Sequence, residues 1–595
     1  SFLNSEFAPF SYKDNSLFSE EFNDIYSSSS GAFDECDHVF IKGNNLEERF
    51  KGLKKDLDFS IGEIGYGIGL NFLITCKVWL ENTKPESVLN FFSFDKYLFR
   101  LEDFQKIISI NSELNEYCQE LEAFYPKNIT GVQRIPLFSG RVVLNLIIGD
   151  IEETRDYLKS LSSIDAWYLD GFSPSKNPEL WSEELLREVH SSCHSNTTFS
   201  TYTSSGLVKN NLTRAGFSFS KVDGFSNKRH MLVGNAKTDA KRNEAIRGKV
   251  AVIGSGIAGC SLSYALAKRG LKVDLFEKYE SICSGASDHE LLVTYPKLSA
   301  HDTPYGRFNL QSFVYATRFY DQLNSEGWNK TGVMVLNHDA DSNKKNKSLL
   351  EKRSDGLIFK NLNEKEVSSK TGIELNYRGL LYEDAGYIFP KEICKALINS
   401  PNINLFTSAK IEKLKINEGL ASFKIDKEIH EYEYICLCTG SDTDSLIDLD
   451  GFSKKRGQVS HIESNEILNN IKLPICAKGY LSPKKGDVHI VGSSYSNLEH
   501  LKLNEEEHLN NLEKLKIITK QPTSVSSGKA GFRAVAKDHL PIVGQINGVF
   551  LNTCHGSRAS VSGPISAEII ASLITGTAPP LEERELKALS PLRFN

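Results

Sequence analysis

The first residues with a spacing suited to chemistry form an acidic, glycine-rich turn. Glu63 ends an apolar, strand-like run and is followed by a turn with three alternate glycines, Gly65, Gly67 and Gly69. Glycine permits a tight turn and a close approach of the backbone to a ligand. A carboxylate here would repel a pyrophosphate but suits a cation. The turn therefore predicts a site for S-adenosyl-L-methionine, which carries a sulfonium and an ammonium group, with a ligand-free βα turn as the alternative.

Three further acids, Asp95, Asp150 and Asp170, end apolar runs in the same part of the chain. Asp95 is placed to accept hydrogen bonds from both ribose hydroxyls. Asp150 is placed to accept from an adenine amino group or to cap the next helix, and the two roles are compatible. Asp170 opens a loop that contains Gly and Pro, where it would orient an attacking amine or receive its proton. Methyl transfer depends mainly on such positioning.

A second glycine turn follows the apolar strand that begins at Lys249. Its G-x-G-x-x-G pattern consists of Gly254, Gly256 and Gly259. A helix-like run and a second strand come next, and Glu277 ends that strand about 20 residues after the glycines. Such a unit brings a pyrophosphate to a helix N-terminus, and the acid binds the ribose. The motif alone leaves FAD and nicotinamide cofactors open.

Three later segments favour FAD. Ser284, Ala286 and Ser287 lie in a turn similar to one that flavin oxidases of the glycine and sarcosine oxidase type carry after their second strand. The segment 530–544 resembles a signature near the end of those oxidases. Gly556 and Arg558 precede a helix predicted over 563–573. Its positive N-terminus would face the flavin ring and stabilise the reduced form.

The length of 595 residues predicts two to four domains, and 40% hydrophobic with 25% charged residues is an ordinary globular composition. A polar stretch separates the two glycine turns. We therefore place one domain over residues 1–238, a linker over 239–248 and a second domain over 249–595. The predicted fold class is α/β: a Rossmann-like methyltransferase domain, followed by a Rossmann-type FAD-binding domain with an α+β substrate subdomain.

Composition also bears on location and partners. No apolar run is long enough to cross a bilayer, and the first residues lack a signal-peptide pattern, so no membrane association is expected. Eleven scattered cysteines favour reduced thiols and a cytoplasmic location. Cys436 and Cys438 lie in a strand-like run and are expected in the core, so no metal site is predicted.

A net charge of −6 argues mildly against a nucleic-acid partner, although Lys and Arg concentrate later in the chain.

Longer strings carry a family resemblance. DGFSPSKNPELW, with EIGYGIGLNF before it and TYTSSGLVKNNLTRAGFSFSKVDGFSNKRHMLVG after it, resembles the methyltransferase domain of the MnmC family, the bifunctional tRNA 5-methylaminomethyl-2-thiouridine biosynthesis proteins. The opening FNDIYSSSSGAFDECDHVFIKGNNLEERF is similar as well. In the second domain, the matching strings include YATRFYDQL, KRGQVSHIE, KGYLSP and DHLPIVG. Two places depart from the family pattern: 288–294 has lost a small, glycine-containing stretch, and Tyr387 stands where Trp is common.

The resemblance implies two consecutive steps at the wobble uridine of tRNA. FAD-dependent oxidation of a carboxymethylaminomethyl group at its C–N bond gives an imine, and hydrolysis leaves an aminomethyl group and glyoxylate. S-adenosylmethionine-dependent methylation then gives methylaminomethyl. Arg533 would clamp the substrate carboxylate through two parallel hydrogen bonds, with a structural ion pair as the alternative.

The implied partner is the tRNA anticodon stem-loop with a flipped base, and no obligatory protein partner is evident. Candidate phosphate contacts are Lys176, Lys228, Arg229, Lys454, Lys455 and Arg456.

Two other hypotheses stay open at this point. The acidic net charge and the oxidase-like signature fit an amino-acid oxidase fused to a methyltransferase that acts on small molecules. Alternatively, one domain only binds. The first domain would then hold RNA without methyl transfer, or the altered segment 288–294 would weaken the oxidase.

Overall fold

A computed structural model describes residues 1–13, 16–27, 31–55, 57–108, 112–226, 228–521 and 523–594, and the bounds and strand counts below refer to these ranges. Residues 28–30 and 227, which belong to two of the strings that carry the family resemblance, lie outside them. The chain packs as two compact units. Unit 1 contains Ser1–Ala245 and Thr577–Glu583, and unit 2 contains Ile246–Gly576 and Arg584–Asn595.

Unit 1 contains an eight-stranded sheet and a three-stranded one. Its strands are β1 (Phe10–Lys13), β2 (Ser16–Ser19), β3 (Asp24–Ser27), β4 (Phe59–Ile64), β5 (Leu89–Asp95), β6 (Gly131–Leu137), β7 (Val142–Ile148), β8 (Ile164–Leu169), β9 (Cys193–Thr201), β10 (Phe217–Asp223) and β11 (His230–Ala236). Its helices are α1 (Ala32–Cys36), α2 (Leu46–Lys51), α3 (Leu70–Asn82), α4 (Leu101–Ile108), α5 (Asn115–Ala123), α6 (Ile151–Thr154), α7 (Glu183–Ser191) and α8 (Gly206–Ala215).

The large sheet of unit 1 has the strand order β10-β11-β9-β8-β4-β5-β7-β6. The five central strands, β9, β8, β4, β5 and β7, are parallel. Four of them, β4, β5, β7 and β8, are mostly apolar and buried, as strands of a sheet covered on both faces are. β4 pairs with both β5 and β8, so the strand order reverses at β4. Open α/β sheets bind ligands at the carboxyl ends of the strands beside such a reversal.

Two segments pack on unit 1 in ways that the sequence pattern did not predict. In the predicted linker, Arg242 Nε donates to Asp165 Oδ1 over 2.9 Å. Near the C-terminus, Tyr157 Oη donates to the carbonyl of Pro579 over 2.7 Å, and Arg134 Nη2 donates to that of Ala578. Part of the linker and the segment Thr577–Glu583 are therefore built into the first unit.

The strands of unit 2 are β12 (Lys249–Ile253), β13 (Lys272–Phe276), β14 (Leu292–Thr294), β15 (Trp328–Asn329), β16 (Val333–Leu336), β17 (Lys360–Leu362), β18 (Gly379–Tyr382), β19 (Gly386–Ile388), β20 (Ile403–Phe406), β21 (Glu412–Asn417), β22 (Leu420–Ile425), β23 (Glu428–Tyr432), β24 (Tyr434–Leu437), β25 (Phe452–Glu463), β26 (Ile475–Cys476), β27 (Tyr480–Leu481), β28 (Val488–Gly492), β29 (Val525–Ala536), β30 (Ile542–Ile546) and β31 (Val549–Thr553). The later helices of the chain are α9 (Ile257–Lys268), α10 (Pro304–Leu323), α11 (Ala340–Lys352), α12 (Glu364–Thr371), α13 (Pro390–Ile398), α14 (Glu505–Leu515), α15 (Ala559–Thr575) and α16 (Glu583–Leu589).

Two large sheets organise unit 2. One has the order β20-β13-β12-β24-β31-β30, and all of its pairs are parallel except β30 with β31. The other has the order β17-β18-β16-β26-β27-β28-β25-β29 and is mostly antiparallel. The predicted α/β class, with an α+β part after the second glycine turn, is confirmed.

Cys436 and Cys438 are 0% and 8% exposed, which confirms their prediction as core residues. All eleven cysteines are buried with free thiols. Within the described ranges, no helix combines the length and apolar character that a membrane span requires.

Candidate active sites

The first glycine turn leaves the carboxyl end of β4 and bends against β8. Gly65 has a φ of +97°, and a Cβ there would lie 2.3 Å from the carbonyl oxygen of Asp170. Gly69 has a φ of +84° and precedes α3, with room for no side chain beside Tyr66. The turn therefore has the tight geometry predicted for it, and it brings the β4 end next to Asp170.

Asn71, which the sequence reasoning did not single out, connects the two acids nearest this turn. Its Nδ2 donates to Glu63 Oε2 over 3.0 Å and to Asp170 Oδ2 over 2.7 Å. The other oxygen of Glu63 accepts from Ser93 Oγ over 2.6 Å. Glu63 is 0% exposed, whereas Asp170 is half-buried. One amide on the first turn of α3 thus fixes both carboxyl groups.

Burial raises the pKa of these acids. The pKa of Glu63 is raised to about 8 and that of Asp170 to about 7, although the bonds from Ser93 and Asn71 partly oppose the rise. Burial likewise raises the pKa of Asp95 to about 6, against the opposing effect of backbone N–H groups. A nearby cation would favour the ionised forms. The site thus holds three carboxyl groups whose charge depends on what is bound, which fits a cationic ligand.

Asp95 and Asp150 occupy the predicted ends of their strands. Asp95 Oδ2 accepts from Gly67 N over 2.7 Å, and its Oδ1 accepts from Tyr97 N over 3.2 Å. Asp150 is exposed, and its side chain accepts from Glu152 N over 3.0 Å at the start of α6. Asp150 therefore caps a helix, and its predicted contact with adenine stays a prediction.

Aromatic rings surround the loop that follows Asp170. Phe172 stacks on Phe22 with ring centroids 4.8 Å apart, and Tyr26 packs edge-on against Phe172 at 4.9 Å. Tyr202 Oη donates to the carbonyl of Gly171 over 2.8 Å. Lys228 Nζ lies 4.2 Å from the centre of the Tyr202 ring. These rings give the entrance beside Asp170 surfaces on which a base can stack.

The second glycine turn has the geometry of a phosphate-binding turn. Gly254 has a φ of +102°, and a Cβ there would lie 2.3 Å from the carbonyl oxygen of Cys438. A Cβ at Gly259 would lie 1.7 Å from the carbonyl oxygen of Gly254. α9 begins directly after Gly256, so the free N–H groups of its first turn point towards the glycine turn, an arrangement that suits an anion such as a pyrophosphate.

Glu277 directly follows the last residue of β13, at the strand end where it was predicted, and is 6% exposed. Its Oε2 accepts from the backbone N and the side-chain Oγ of Ser255 over 3.1 and 2.6 Å. Its Oε1 accepts from Tyr279 N over 3.0 Å. The carboxylate is therefore fixed at the edge of the glycine turn.

The predicted turn at 284–287 lies against the start of α9. Ser287 Oγ is 3.4 Å from Ile257 N, and a Cβ at Gly256 would lie 3.2 Å from the same hydroxyl. A Cβ at Gly531 would lie 3.9 Å from Ala286 Cα, so this turn also approaches β29. Ser284 is bonded locally, through its Oγ to the carbonyl of Ser281 over 2.8 Å.

The last predicted cofactor residues precede α15. Gly556 has a φ of +59° with open space around it. The guanidinium of Arg558 lies 4.9 Å from the centre of the Tyr295 ring, and its buried Nε has no partner within the described ranges. The helix begins at Ala559 rather than at the predicted 563 and contains Pro564. The carbonyl of Ser560, which lacks a donor because proline has no N–H, accepts from Tyr320 Oη over 2.6 Å instead, so the helix extends past the proline. An unpartnered buried donor beside a helix N-terminus fits a polar group of a bound cofactor.

Arg533 lies on β29 and is half-buried. Its Nη2 donates to Ser493 Oγ over 2.7 Å, and its Nη1 donates to the carbonyl of Ser494 over 3.3 Å. Both partners are neutral, and no acid in the described part of the chain forms an ion pair with this guanidinium. The alternative of a structural ion pair therefore has no support, and the positive charge is available to an anion.

The departing segment 288–294 lies beside Arg533. Asp288 pairs with Lys529, which stands on the same strand as Arg533, over 3.0 Å, and with Lys391 over 3.1 Å. Glu290 Oε2 lies 3.2 Å from His461 Nε2. Burial and the positive charges of Arg533 and Lys529 lower the pKa of His289 to about 4. Asp288 thus pairs with Lys529 and Lys391, and among the described residues neither acid of the segment forms an ion pair with Arg533.

The candidate phosphate contacts differ in whether an RNA could reach their side chains. Arg456 is 0% exposed and forms a buried ion pair with Glu507, so its prediction as an RNA contact is wrong. Lys228 pairs with Glu35 over 2.7 Å but stays half-exposed. Lys454 lies over the Phe532 ring and Lys455 donates to Asn497 Oδ1 over 2.6 Å, and both remain predictions, as do Lys176 and Arg229.

Comparison with known proteins finds a family match in each of the two units. Residues 112–237 match the model of an S-adenosyl-L-methionine-dependent methyltransferase family, and residues 249–573 match that of the FAD-dependent oxidoreductases. In fold, the chain is similar to a glycine oxidase from Geobacillus kaustophilus, with a TM-score of 0.51, 18% identity, and coverage of 58% of this chain and 98% of that one. It is also similar to an L-proline dehydrogenase from P. horikoshii, with a TM-score of 0.50, 17% identity, and coverage of 59% and 98%.

The two units therefore define a bifunctional enzyme, in which a methyltransferase that uses S-adenosylmethionine is joined to an oxidoreductase that uses FAD. The tRNA 5-methylaminomethyl-2-thiouridine biosynthesis bifunctional protein MnmC of Idiomarina loihiensis is 34% identical to this chain, with 97% of each covered. The protein of the same name from Nitrosospira multiformis is 32% identical, with 98% of each covered. The chain belongs to the MnmC family.

Proposed function

We propose that this chain converts the carboxymethylaminomethyl group of a tRNA wobble uridine into a methylaminomethyl group, in two steps at two sites. Membership of the MnmC family makes the chain a bifunctional tRNA-modifying enzyme. The observation that carries the residue assignment is Arg533, a half-buried guanidinium that has no acidic partner among the described residues and lies in a unit whose fold is shared with an oxidase. Its proposed ligand is the carboxylate of an N-substituted glycine.

In the first step, Arg533 binds the carboxylate of the side chain and holds the adjacent methylene in place. Its guanidinium can form two parallel hydrogen bonds to a carboxylate, which fixes both position and orientation. Loss of a hydride from the methylene leaves a C=N bond, and water then adds to release glyoxylate and a primary amine. Bound FAD supplies the hydride acceptor, and bound S-adenosylmethionine supplies the methyl group of the second step.

In the second step, Asp170 orients the primary amine and takes up its proton. A pKa of about 7 suits this role, because such a carboxyl group can both accept and release a proton near neutral pH. Asn71 holds Asp170 in place, and the rings of Phe172 and Tyr26 flank the approach. Alignment of the amine with the methyl group then provides most of the rate enhancement.

The test is a digest of tRNA after reaction, analysed by nucleoside mass spectrometry. tRNA that bears the carboxymethylaminomethyl group is incubated with the FAD-loaded protein, with and without S-adenosylmethionine. We expect the aminomethyl nucleoside without S-adenosylmethionine and the methylaminomethyl nucleoside with it. Unchanged tRNA from protein that holds both cofactors would contradict the proposal, and turnover of free sarcosine would then point to a small-molecule enzyme.

A further inference from the structure

The guanidinium of Arg533 packs closely against the neighbouring strand β25, which restricts its movement in that direction. β25 and β29 pair so that Lys455 lies opposite Arg533 and Gly457 lies opposite Gly531. A Cβ at Gly457 would lie 2.2 Å from Arg533 Nη2, so the guanidinium rests directly on the backbone of Gly457. Within the described ranges, its hydrogen bonds go to two acceptors, Ser493 Oγ and the carbonyl of Ser494. The orientation of Arg533 therefore depends on how firmly that dipeptide is held.

Ser494 is held by three hydrogen bonds. Its N donates to the carbonyl of Gln458 over 3.0 Å, and its Oγ accepts from Gln458 N over 2.8 Å. The same hydroxyl donates to Glu507 Oε1 over 3.0 Å. Ser494 is 4% exposed, so water cannot replace these partners. The carbonyl of Ser493 accepts from Lys514 Nζ over 2.8 Å, which fixes the dipeptide from α14 as well.

Glu507 is itself fixed by a buried network on the opposite face of β25. Arg456 donates to its Oε2, and the same guanidinium donates to the carbonyls of His500 and Lys502 over 2.7 and 2.6 Å. Asn504 Oδ1 accepts from Glu507 N over 3.1 Å at the start of α14. The network thus runs from the first turn of α14 through Glu507 and Ser494 to Arg533.

We infer that Glu507 is a positioning residue for Arg533: it holds Ser494 so that the guanidinium presents its free N–H groups to the substrate carboxylate. This inference rests on the proposed function, which makes Arg533 the carboxylate clamp. Each terminal nitrogen of a guanidinium carries two N–H groups, so the bonds to Ser493 and Ser494 leave donors for a ligand. Two parallel hydrogen bonds to a carboxylate need a fixed plane, and a rotated guanidinium loses one of them.

The test compares Glu507→Gln and Ser494→Ala with the wild-type protein, each as the FAD-loaded full chain. Asp355→Asn is the matched control, because Asp355 also forms a bidentate pair with a buried arginine, Arg353, in the same unit. Methoxyacetate is the probe, since it carries the carboxylate of an N-substituted glycine but an ether in place of the amine. Its dissociation constant is measured from the change in the flavin absorption spectrum.

We expect methoxyacetate to bind about tenfold more weakly to both variants, and KM for tRNA to rise by a similar factor while kcat changes by less than about twofold. The rate at which phenylglyoxal modifies Arg533, followed by peptide mass spectrometry, should increase in both variants. Asp355→Asn should match the wild type in all three readouts.

Two other results are informative. If Arg533 is modified faster in both variants but no form of the protein binds methoxyacetate, the positioning role stands and the proposed function fails. If both variants match the wild type in modification rate and methoxyacetate affinity, Glu507 has a structural role only and does not position Arg533. The inference is then overturned. A lower melting temperature without a change in these two readouts leads to the same conclusion.

Discussion

The side chain of Asn71 donates to the carboxylate of Asp170 over 2.7 Å, although 99 residues separate them in the chain. The contact forms because α3 starts at the carboxyl end of β4, next to the end of β8. Asn71 also donates to Glu63, so a single amide separates two carboxyl groups that would repel each other when ionised. This pairing is the structural centre of the proposed methyl-transfer site.

Replacement of Asn71 tests the importance of that amide. Asn71→Ala leaves Glu63 and Asp170 without their shared donor, which should lower the free energy of unfolding of unit 1 by about 1–3 kcal/mol. S-adenosylmethionine should also bind more weakly. Thermal melting and calorimetric titration measure both effects. Asn82→Ala is the control, since Asn82 lies on the same helix and bonds only the Val78 carbonyl among its described contacts; equal effects of the two changes would refute this prediction.

The raised pKa values predict a pH dependence of cofactor affinity. Glu63, Asp170 and Asp95 have pKa values of about 8, about 7 and about 6, so each gains negative charge as the pH rises through its own value. A cation favours the ionised forms, so the affinity for S-adenosylmethionine should increase from about pH 6 to about pH 8, by up to about tenfold per pH unit for each proton released.

Calorimetry in buffers of different ionisation enthalpy measures this proton release directly. S-adenosylhomocysteine is the control ligand, because it lacks the positive sulfonium and should show a weaker pH dependence. Identical profiles for the two ligands would mean that the three carboxyl groups do not respond to the sulfonium charge.

A single methyl group at Gly254 should abolish FAD binding. Gly254→Ala places a Cβ 2.3 Å from the carbonyl oxygen of Cys438 and strains a φ of +102°, so the turn cannot keep its shape. Gly270→Ala is the control, since Gly270 has a φ of +80° but no neighbour within 4 Å. The flavin absorbance of the purified variants is the measurement. A normal flavin content in Gly254→Ala would argue against this turn as the cofactor site.

The buried position of Arg456 predicts that its loss affects folding rather than RNA contact. Arg456→Ala leaves Glu507 buried without its partner, which should cost about 3–5 kcal/mol of stability. Lys454→Ala should leave the melting temperature nearly unchanged, because the Lys454 side chain is exposed and its ammonium lies over the half-buried ring of Phe532. Denaturant unfolding of the two variants distinguishes them, and similar stabilities would show that the ion pair contributes little.

Local patterns predicted the parts of both sites that local sequence determines. The glycines at positions 65 and 254, and the acids Asp95 and Glu277, follow apolar strands in the chain, and strand ends meet at one edge of a parallel sheet. The proposed role of Arg533 came from the family resemblance, and the structure adds that its guanidinium forms no ion pair with any described acid.

Contacts between distant segments could not be predicted in this way. Asn71 is one polar residue among many until β8 is placed beside β4. Arg456 follows two lysines in the sequence, a pattern typical of a surface charge. The helix that covers its side of β25, α14, begins only at Glu505, so no nearby residue indicates that Arg456 is buried. The contact between Tyr157 and Pro579 spans 422 residues, so no local pattern signals that the segment near the C-terminus packs on unit 1.

The most direct test of the account compares Asp170→Asn and Arg533→Gln on two tRNA substrates by nucleoside mass spectrometry, in the presence of S-adenosylmethionine. With tRNA that bears carboxymethylaminomethyl, Asp170→Asn should accumulate the aminomethyl nucleoside, whereas Arg533→Gln should leave the substrate unchanged. With tRNA that bears aminomethyl, Arg533→Gln should form the methylaminomethyl nucleoside as the wild type does, and Asp170→Asn should form little. If each variant, folded and loaded with FAD, loses both steps or neither, the assignment of one step to each residue is contradicted.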